Sequence, residues 1–283
     1  MIAVVTDSTC DLPPAVLSDM GVHMLPLSVL LQDRPPLCEW NEVDPDEVYK
    51  RLQAGESVAT RPVEARTFRE CYRNLLTRYD AVVSVHLSSR ISNTVQHARQ
   101  AVVALNELDR IRVVDSGVSS VLLASAVLSA QRESTQGGDL VSVAQAAVDT
   151  LRDQYGEFTV PSLDYLRRGG RISPVQYAVG NLLDMRPILG FDSEGHLKAL
   201  RRVRSGESAR NILGTLYDRF GKDPVRVAVG LAGRDHQRLH ELRRHMQRSG
   251  LNIRAGRTQL IGSVIGAHTG PGMFAFVAEP YDE

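Results

Sequence analysis

Ala81-Val-Val-Ser-Val-His86, the segment 92–105, and Ile111-Arg-Val-Val114 together decide the fold. A β-branched run leads into a long stretch of helical spacing and then into a second β-branched run, which is the pattern of a parallel βαβ unit. The same alternation extends outward from it. Strands are predicted over 2–6 and 23–31, and helices over 44–53, 65–79, 116–132 and 140–153. After about Tyr155 the pattern changes. Two strands over 185–191 and 197–203 flank Asp192-Ser-Glu-Gly195, a hairpin signal. A helix over 205–220, a strand over 225–231, a helix over 234–248 and strands near 252–260 and 274–278 follow. The expected fold is α/β with two α/β domains. Residues 1–155 carry a mainly parallel sheet, and residues 156–283 carry a mixed sheet.

Composition narrows the function. The 283 residues contain 33 Lys+Arg and 33 Asp+Glu, and zero net charge argues against a general nucleic-acid binder. Aromatics are 5% with a single tryptophan, Trp40, so base-stacking platforms are not expected. Cys10, Cys38 and Cys71 are odd in number and outside any C-x-x-C spacing, which points to a reducing cytoplasm. The N-terminus carries no basic leader. The most apolar stretch, 118–130, is broken by four serines and is shorter than the ~20 residues a membrane span needs, so it reads as a buried helix.

Three strands of the first half end in hydroxyl-bearing turns: Thr6-Asp7-Ser8-Thr9, His86-Leu-Ser-Ser89 and Asp115-Ser116. In an open parallel sheet such turns gather at the carboxyl edge, where ligands bind. Helix N-termini there offer free N–H groups to an anion or a carboxylate. Each turn alone is a helix cap; the three together on one edge point to a site.

The standard catalytic motifs are missing. There is no P-loop, no dinucleotide glycine fingerprint after a strand and no G-x-S-x-G elbow. His236, His240 and His245 lie on an arginine-rich helix without H-E-x-x-H, which reads as a solvated basic face. No metal and no catalytic residue are expected.

Three segments remain distinctive: Leu163-Asp-Tyr-Leu-Arg-Arg-Gly-Gly-Arg-Ile-Ser173, the Gly-rich turn Gly262-Ser-Val-Ile-Gly-Ala-His-Thr-Gly-Pro-Gly272, and His86-Leu-Ser-Ser-Arg-Ile-Ser-Asn-Thr94. With the opening Val5-Thr-Asp-Ser-Thr-Cys-Asp-Leu-Pro-Pro14 and Val113-Val-Asp-Ser116, they make the chain resemble the DegV family over essentially its whole length. Members of that family act as fatty-acid-binding subunits of bacterial fatty acid kinase, in phospholipid metabolism. The resemblance implies a single C14–C18 fatty acid held between the two domains, with no other cofactor. It implies a carboxylate held by Thr60 and Ser92, with His268, Asn93 and Thr269 near the head group. Arg168, Arg171 and Arg204 fall on the surface that would face the kinase catalytic subunit. The chain is then a carrier and not an enzyme, with transient membrane contact and no nucleic acid among its partners. The family's T-S-x-P-S stretch reads Ala59-Thr60-Arg61-Pro62-Val63 here, and Thr60 supplies a hydroxyl whether the alignment is anchored on Pro62 or on Phe68. The S-G-T turn reads Ser92-Asn93-Thr94, with asparagine tolerating a left-handed backbone at the glycine position.

Such a carrier makes physical sense. Moving the roughly fifteen CH₂ and CH₃ groups of a sixteen-carbon chain out of water is worth about 12 kcal/mol, so the free acid prefers a bilayer to water. Ile91, Val95, Leu182 and Ile188 are apolar candidates for its lining. Arg167-Arg168 and Arg201-Arg-Val-Arg204 read as one basic face. Two rival readings stay open: an enzyme acting on a small anionic substrate in the interdomain cleft, and a lipid-responsive regulator.

Overall fold

The structure is a computed structural model that describes residues 1–172 and 184–281. Ser173 and Leu182, quoted above, lie outside the described residues. The fold is α/β, and the chain divides into two compact units. Unit 1 consists of Met1–Val43, Thr60–Arg152 and Ser193–His196; unit 2 consists of Asp44–Ala59 with the described residues of Asp153–Asp192 and Leu197–Glu283.

In chain order the elements begin with β1 (Ile2–Asp7), α1 (Pro14–Asp19), β2 (Val22–Leu25), β3 (Ser28–Leu30), β4 (Leu37–Cys38), α2 (Pro45–Gln53) and β5 (Ala59–Arg61). They continue through α3 (Ala65–Leu75), β6 (Ala81–His86), α4 (Thr94–Leu105), β7 (Ile111–Asp115), α5 (Ser120–Thr135) and α6 (Leu140–Asp153). The βαβ run that opened the sequence reading is β6–α4–β7. A four-stranded sheet in the order β2-β1-β6-β7 is parallel throughout. Every residue of β1 and β6 is buried, because helices cover both faces of a parallel sheet. Val4, Val83 and Val85 join the core formed with Leu123, Val127 and Val143 of α5 and α6. Side chains alternate along a strand. Ser84 and His86 therefore point the other way, where His86 meets the Phe68 ring of α3 edge-on at 5.0 Å between centroids.

The predicted strand over 23–31 is two strands. β2 pairs with β1, whereas β3 belongs to a small sheet in the order β4-β3-β5. Pro26, which has no N–H to give a ladder, sits at the break. The apolar, serine-broken stretch lies largely in α5, most of whose residues are buried. Among the described residues no helix is long and apolar enough to cross one.

Unit 2 contributes β8 (Tyr155–Thr159), α7 (Asp164–Arg168), β9 (Met185–Phe191), β10 (Leu197–Arg204), α8 (Ser208–Phe220), β11 (Pro224–Leu231), α9 (His236–Gln247), β12 (Asn252–Leu260), α10 (Ser263–Thr269) and β13 (Phe274–Pro280). Its sheet runs β10-β9-β8-β13-β11-β12 and is mixed, with β11 and β12 parallel and the other neighbours antiparallel. The predicted hairpin is β9 and β10. Ile188, Ile212, Leu216, Phe274 and Phe276 form the core, so Ile188 is fully buried in unit 2. The Gly-rich stretch after Gly262 is not a turn but the helix α10. Gly262 caps its start, Val264, Ile265 and Ala267 are buried along it, and Gly270 at φ +78° ends it.

Candidate functional site

The carboxyl edge of the unit 1 sheet gathers the three turns as the sequence implies. Its organiser is Asp7, at the end of β1. One carboxylate oxygen accepts from Thr9 N at 3.0 Å and from the Thr9 hydroxyl; the other accepts from Leu87 N at 3.1 Å and lies 2.9 Å from His86 Nδ1. His86 Nε2 lies 2.6 Å from Ser84 Oγ, which accepts from the Tyr72 hydroxyl at 2.8 Å. A carboxylate only accepts, so His86 donates from Nδ1 to Asp7. Ser84, His86 and Asp7 have the order of a hydrolytic triad, yet all three are fully buried, and Tyr72 stands against the serine. The arrangement locks the ends of β1 and β6 together.

This lock shapes the loop that carries Ser92. Ser88, almost fully buried, accepts at its carbonyl from Ile91 N and Ser92 N, both at 3.2 Å, and donates its hydroxyl to Gly195 O at 2.8 Å. A Cβ on Gly195 would lie 2.7 Å from Ser88 Oγ, so the glycine is there to let this turn approach. Ser92 is half-buried. Its Oγ accepts from Thr94 N at 3.3 Å and lies 2.9 Å from Thr94 Oγ1. Asn93 is exposed and caps α4 at φ −79°, so this turn is not left-handed and asks nothing special of asparagine. Thr60 is half-buried on β5. The segment after it is tied to α4, because His97 Nδ1 donates to Val63 O at 2.7 Å. Thr60 and Ser92 therefore belong to one unit.

In unit 2 the two glycine-rich segments interlock. A Cβ on Gly169, at the end of α7, would overlap His268 Nδ1; one on Gly266 would lie 2.6 Å from the Tyr49 hydroxyl; one on Gly270 would overlap the Tyr165 ring. Tyr49 donates to Ile261 O at 3.0 Å and Tyr165 to Leu52 O at 3.4 Å, which fastens α2 to α7 and α10. Burial, with Arg171 nearby, lowers the His268 pKa to about 4, so the imidazole is neutral at pH 7. Thr269 is buried and donates its hydroxyl to Ile265 O at 2.9 Å.

The arginines divide. Arg168 is exposed and lies over the Tyr165 ring, 5.5 Å from its centroid. Arg171 folds back onto Gly169 O, and burial lowers its pKa. Arg204 is exposed at the end of β10. Arg201 does not join them in a basic face: it grips the buried Glu157 through two bonds of 2.8 and 2.6 Å and also reaches Asn211 and Thr215. In the sequence Asp7 and His86 stand out only as members of hydroxyl-bearing turns and Thr94 only as the end of a distinctive segment, none of them singled out for its own role. For the first two a signal existed, because β1 and β6 pair in parallel one register step before them, Thr6 against Val85. Among the described residues no group of three or more His, Cys, Asp or Glu side chains is arranged to hold a metal ion.

The comparisons with known proteins agree over the full length. The family model described as an uncharacterised protein of the DegV family matches residues 1–281. A DegV domain-containing protein of Streptomyces coelicolor is 34% identical over 279 residues, covering 98% of this chain and 97% of that one. A solved structure on fatty acid binding of a DegV family protein from Thermus thermophilus superposes with a TM-score of 0.90 at 33% identity, covering 99% of both chains. The structure of DegV, a fatty acid binding protein from Bacillus subtilis, gives 0.85 at 28% identity, again covering 99% of both.

Proposed function

Since the chain belongs to the DegV family, we propose that it binds one long-chain fatty acid, C14–C18, and presents the carboxylate to a separate kinase for acyl-phosphate formation. The observation that carries this reading is the full-length similarity to a fatty-acid-binding relative at TM-score 0.90. The apolar tail supplies most of the affinity, while Thr60 and Ser92 fix the carboxylate by hydrogen bonds. Ser92 suits that role because its hydroxyl is half-buried at the start of α4, where backbone N–H groups and the helix dipole favour an anion. His268, which is neutral at pH 7, and Asn93 and Thr269 are proposed as further hydrogen-bonding groups for the head group. A carboxylate needs no base at that pH. Arg168, Arg171 and Arg204 are the proposed kinase-facing residues. The chain itself performs no chemistry in this reading, and the cytoplasm is its proposed location.

The test is mass spectrometry of the purified protein, native and after organic extraction. A near-stoichiometric C14–C18 fatty acid released only on denaturation is the expected result. A protein that arrives empty and takes up neither oleate nor palmitate overturns the reading. Charge reversal at Arg204 is expected to leave palmitate affinity intact and to raise the apparent KM of a fatty acid kinase for the loaded protein.

A further inference from the structure

Ser92 can bind a carboxylate as a donor only if its own proton is free to point at the ligand. The structure holds an arrangement that decides this. Thr94, the first residue of α4, is fully buried, and its hydroxyl lies 2.9 Å from Ser92 Oγ. Among the described residues that serine is the only hydrogen-bond partner of the Thr94 hydroxyl. If Ser92 donated to Thr94, the threonine proton would be buried with no acceptor, which folded proteins avoid. If Thr94 donates, its proton is satisfied. Ser92 Oγ then accepts twice, from the Thr94 hydroxyl and from Thr94 N at 3.3 Å, which occupies both of its lone pairs. The Ser92 proton is left over, on a side chain that is half-buried where Thr94 is fully buried.

We infer that Thr94 is a positioning residue: by donating its hydroxyl proton to Ser92 Oγ it turns the Ser92 O–H outward and makes Ser92 a committed donor to an anionic head group. This rests on the reading that Ser92 holds a fatty-acid carboxylate. It also gives a reason for a hydroxyl two residues after the serine, since one without the other leaves a proton misdirected. A chain of two hydroxyls polarised in one direction strengthens the outer bond. The specificity it creates is for a charged acceptor over a neutral one.

The test compares dissociation constants of palmitate and hexadecan-1-ol, ligands with the same tail, in the full chain. In Ser92→Ala the preference for palmitate is expected to fall by tens of fold, in line with a hydrogen bond to a charged group. Thr94→Val keeps the shape and removes the hydroxyl; it is expected to cut the palmitate preference three- to tenfold and leave hexadecanol affinity unchanged. Thr94→Ser is expected to restore the preference, and Thr94→Val added to Ser92→Ala is expected to lower it no further. If Thr94→Val does not fold, Thr94→Ala makes the same comparison. A wild-type ratio in the folded Thr94 variant, alongside a lowered ratio in Ser92→Ala, overturns the inference and leaves the carboxylate reading standing. An unchanged ratio in Ser92→Ala overturns the carboxylate reading, and the role of Thr94 with it.

Discussion

Gly169 and His268 pack so closely that a Cβ on the glycine would overlap the imidazole Nδ1. Gly169 has an ordinary right-handed backbone, φ −74°, so space alone excludes a side chain there. Gly169→Ala is therefore expected to cost ~1–3 kcal/mol, the usual penalty of overpacking, as a lowered thermal midpoint. Removing the ring should relieve the clash: the double variant with His268→Ala should lose less than the two single losses summed. Gly214→Ala is the control. Gly214 lies exposed inside α8 with nothing near its Cβ position, so alanine should stabilise by about 0.5–1 kcal/mol. Equal losses at Gly169 and Gly214 would refute the packing argument.

The same imidazole predicts a pH dependence. Its pKa in the folded chain is about 4, pushed down by burial and by Arg171, against ~6.5 in the unfolded chain. Between those values the unfolded chain binds more protons, so stability rises with pH. The His268 contribution is whole above pH 6.5, falls as the pH drops toward 4 and is lost below it. The loss amounts to ~3 kcal/mol. His23 and His245 are also lowered by burial and nearby arginines, so they slope the curve the same way. The measurement is urea unfolding from pH 7.5 to 4 for the native chain and for His268→Gln. The two curves should converge toward acid pH; parallel curves would show that His268 does not titrate with folding.

Much of unit 1 was legible because its signals are local. β-branched runs such as Ala81–His86 and helices with one apolar face are written within a dozen residues. β8 was not read, because Tyr-Gly-Glu-Phe-Thr has neither alternation nor an apolar run; its glutamate is buried only because Arg201, 44 residues later, pairs with it. The membership of α2 in unit 2 was equally hidden, since Tyr49 finds its acceptor at Ile261, more than two hundred residues away. At the site, hydroxyls in turns were visible, but which of them are spent on structure was not. Thr9 bonds Asp7, Ser88 bonds Gly195, and only coordinates separate these from Ser92.

Asp7 carries no proposed ligand role, yet its buried carboxylate collects four hydrogen bonds. Replacing it with alanine strands four donors in a fully buried place: Thr9 N, the Thr9 hydroxyl, Leu87 N and His86 Nδ1. Each unsatisfied buried group costs ~1–3 kcal/mol, so even partial relaxation leaves a loss of at least ~3 kcal/mol in denaturant unfolding. Ser84→Ala strands only the Tyr72 hydroxyl and His86 Nε2 and should cost about half as much. An Asp7→Ala midpoint within error of the native chain would mean that the strand ends are not held by this carboxylate.

Arg201 and Arg204 stand three residues apart on β10 with unbroken pairing between them, so strand alternation sends their side chains to opposite faces. Arg201 turns in, meeting Glu157, whose side chain is fully buried; Arg204 is exposed. Removing one partner of a buried ion pair leaves an uncompensated charge, typically at ~3–5 kcal/mol. Arg201 is itself 30% exposed, so the lower end applies. Arg201→Met is therefore expected to cost ~3 kcal/mol in stability. Adding Glu157→Gln should recover a large part of that, since the stranded charge is then gone. Arg204→Ala should change stability by less than ~0.5 kcal/mol, as exposed substitutions usually do. Any effect of Arg204→Ala on transfer to a kinase would then act at the surface and not through folding. Arg201 variants must instead be read first as folding variants. Equal stability losses at the two positions would overturn this division, and a loss at Arg201→Met that Glu157→Gln leaves untouched would place the cost in Asn211 and Thr215 instead of the ion pair.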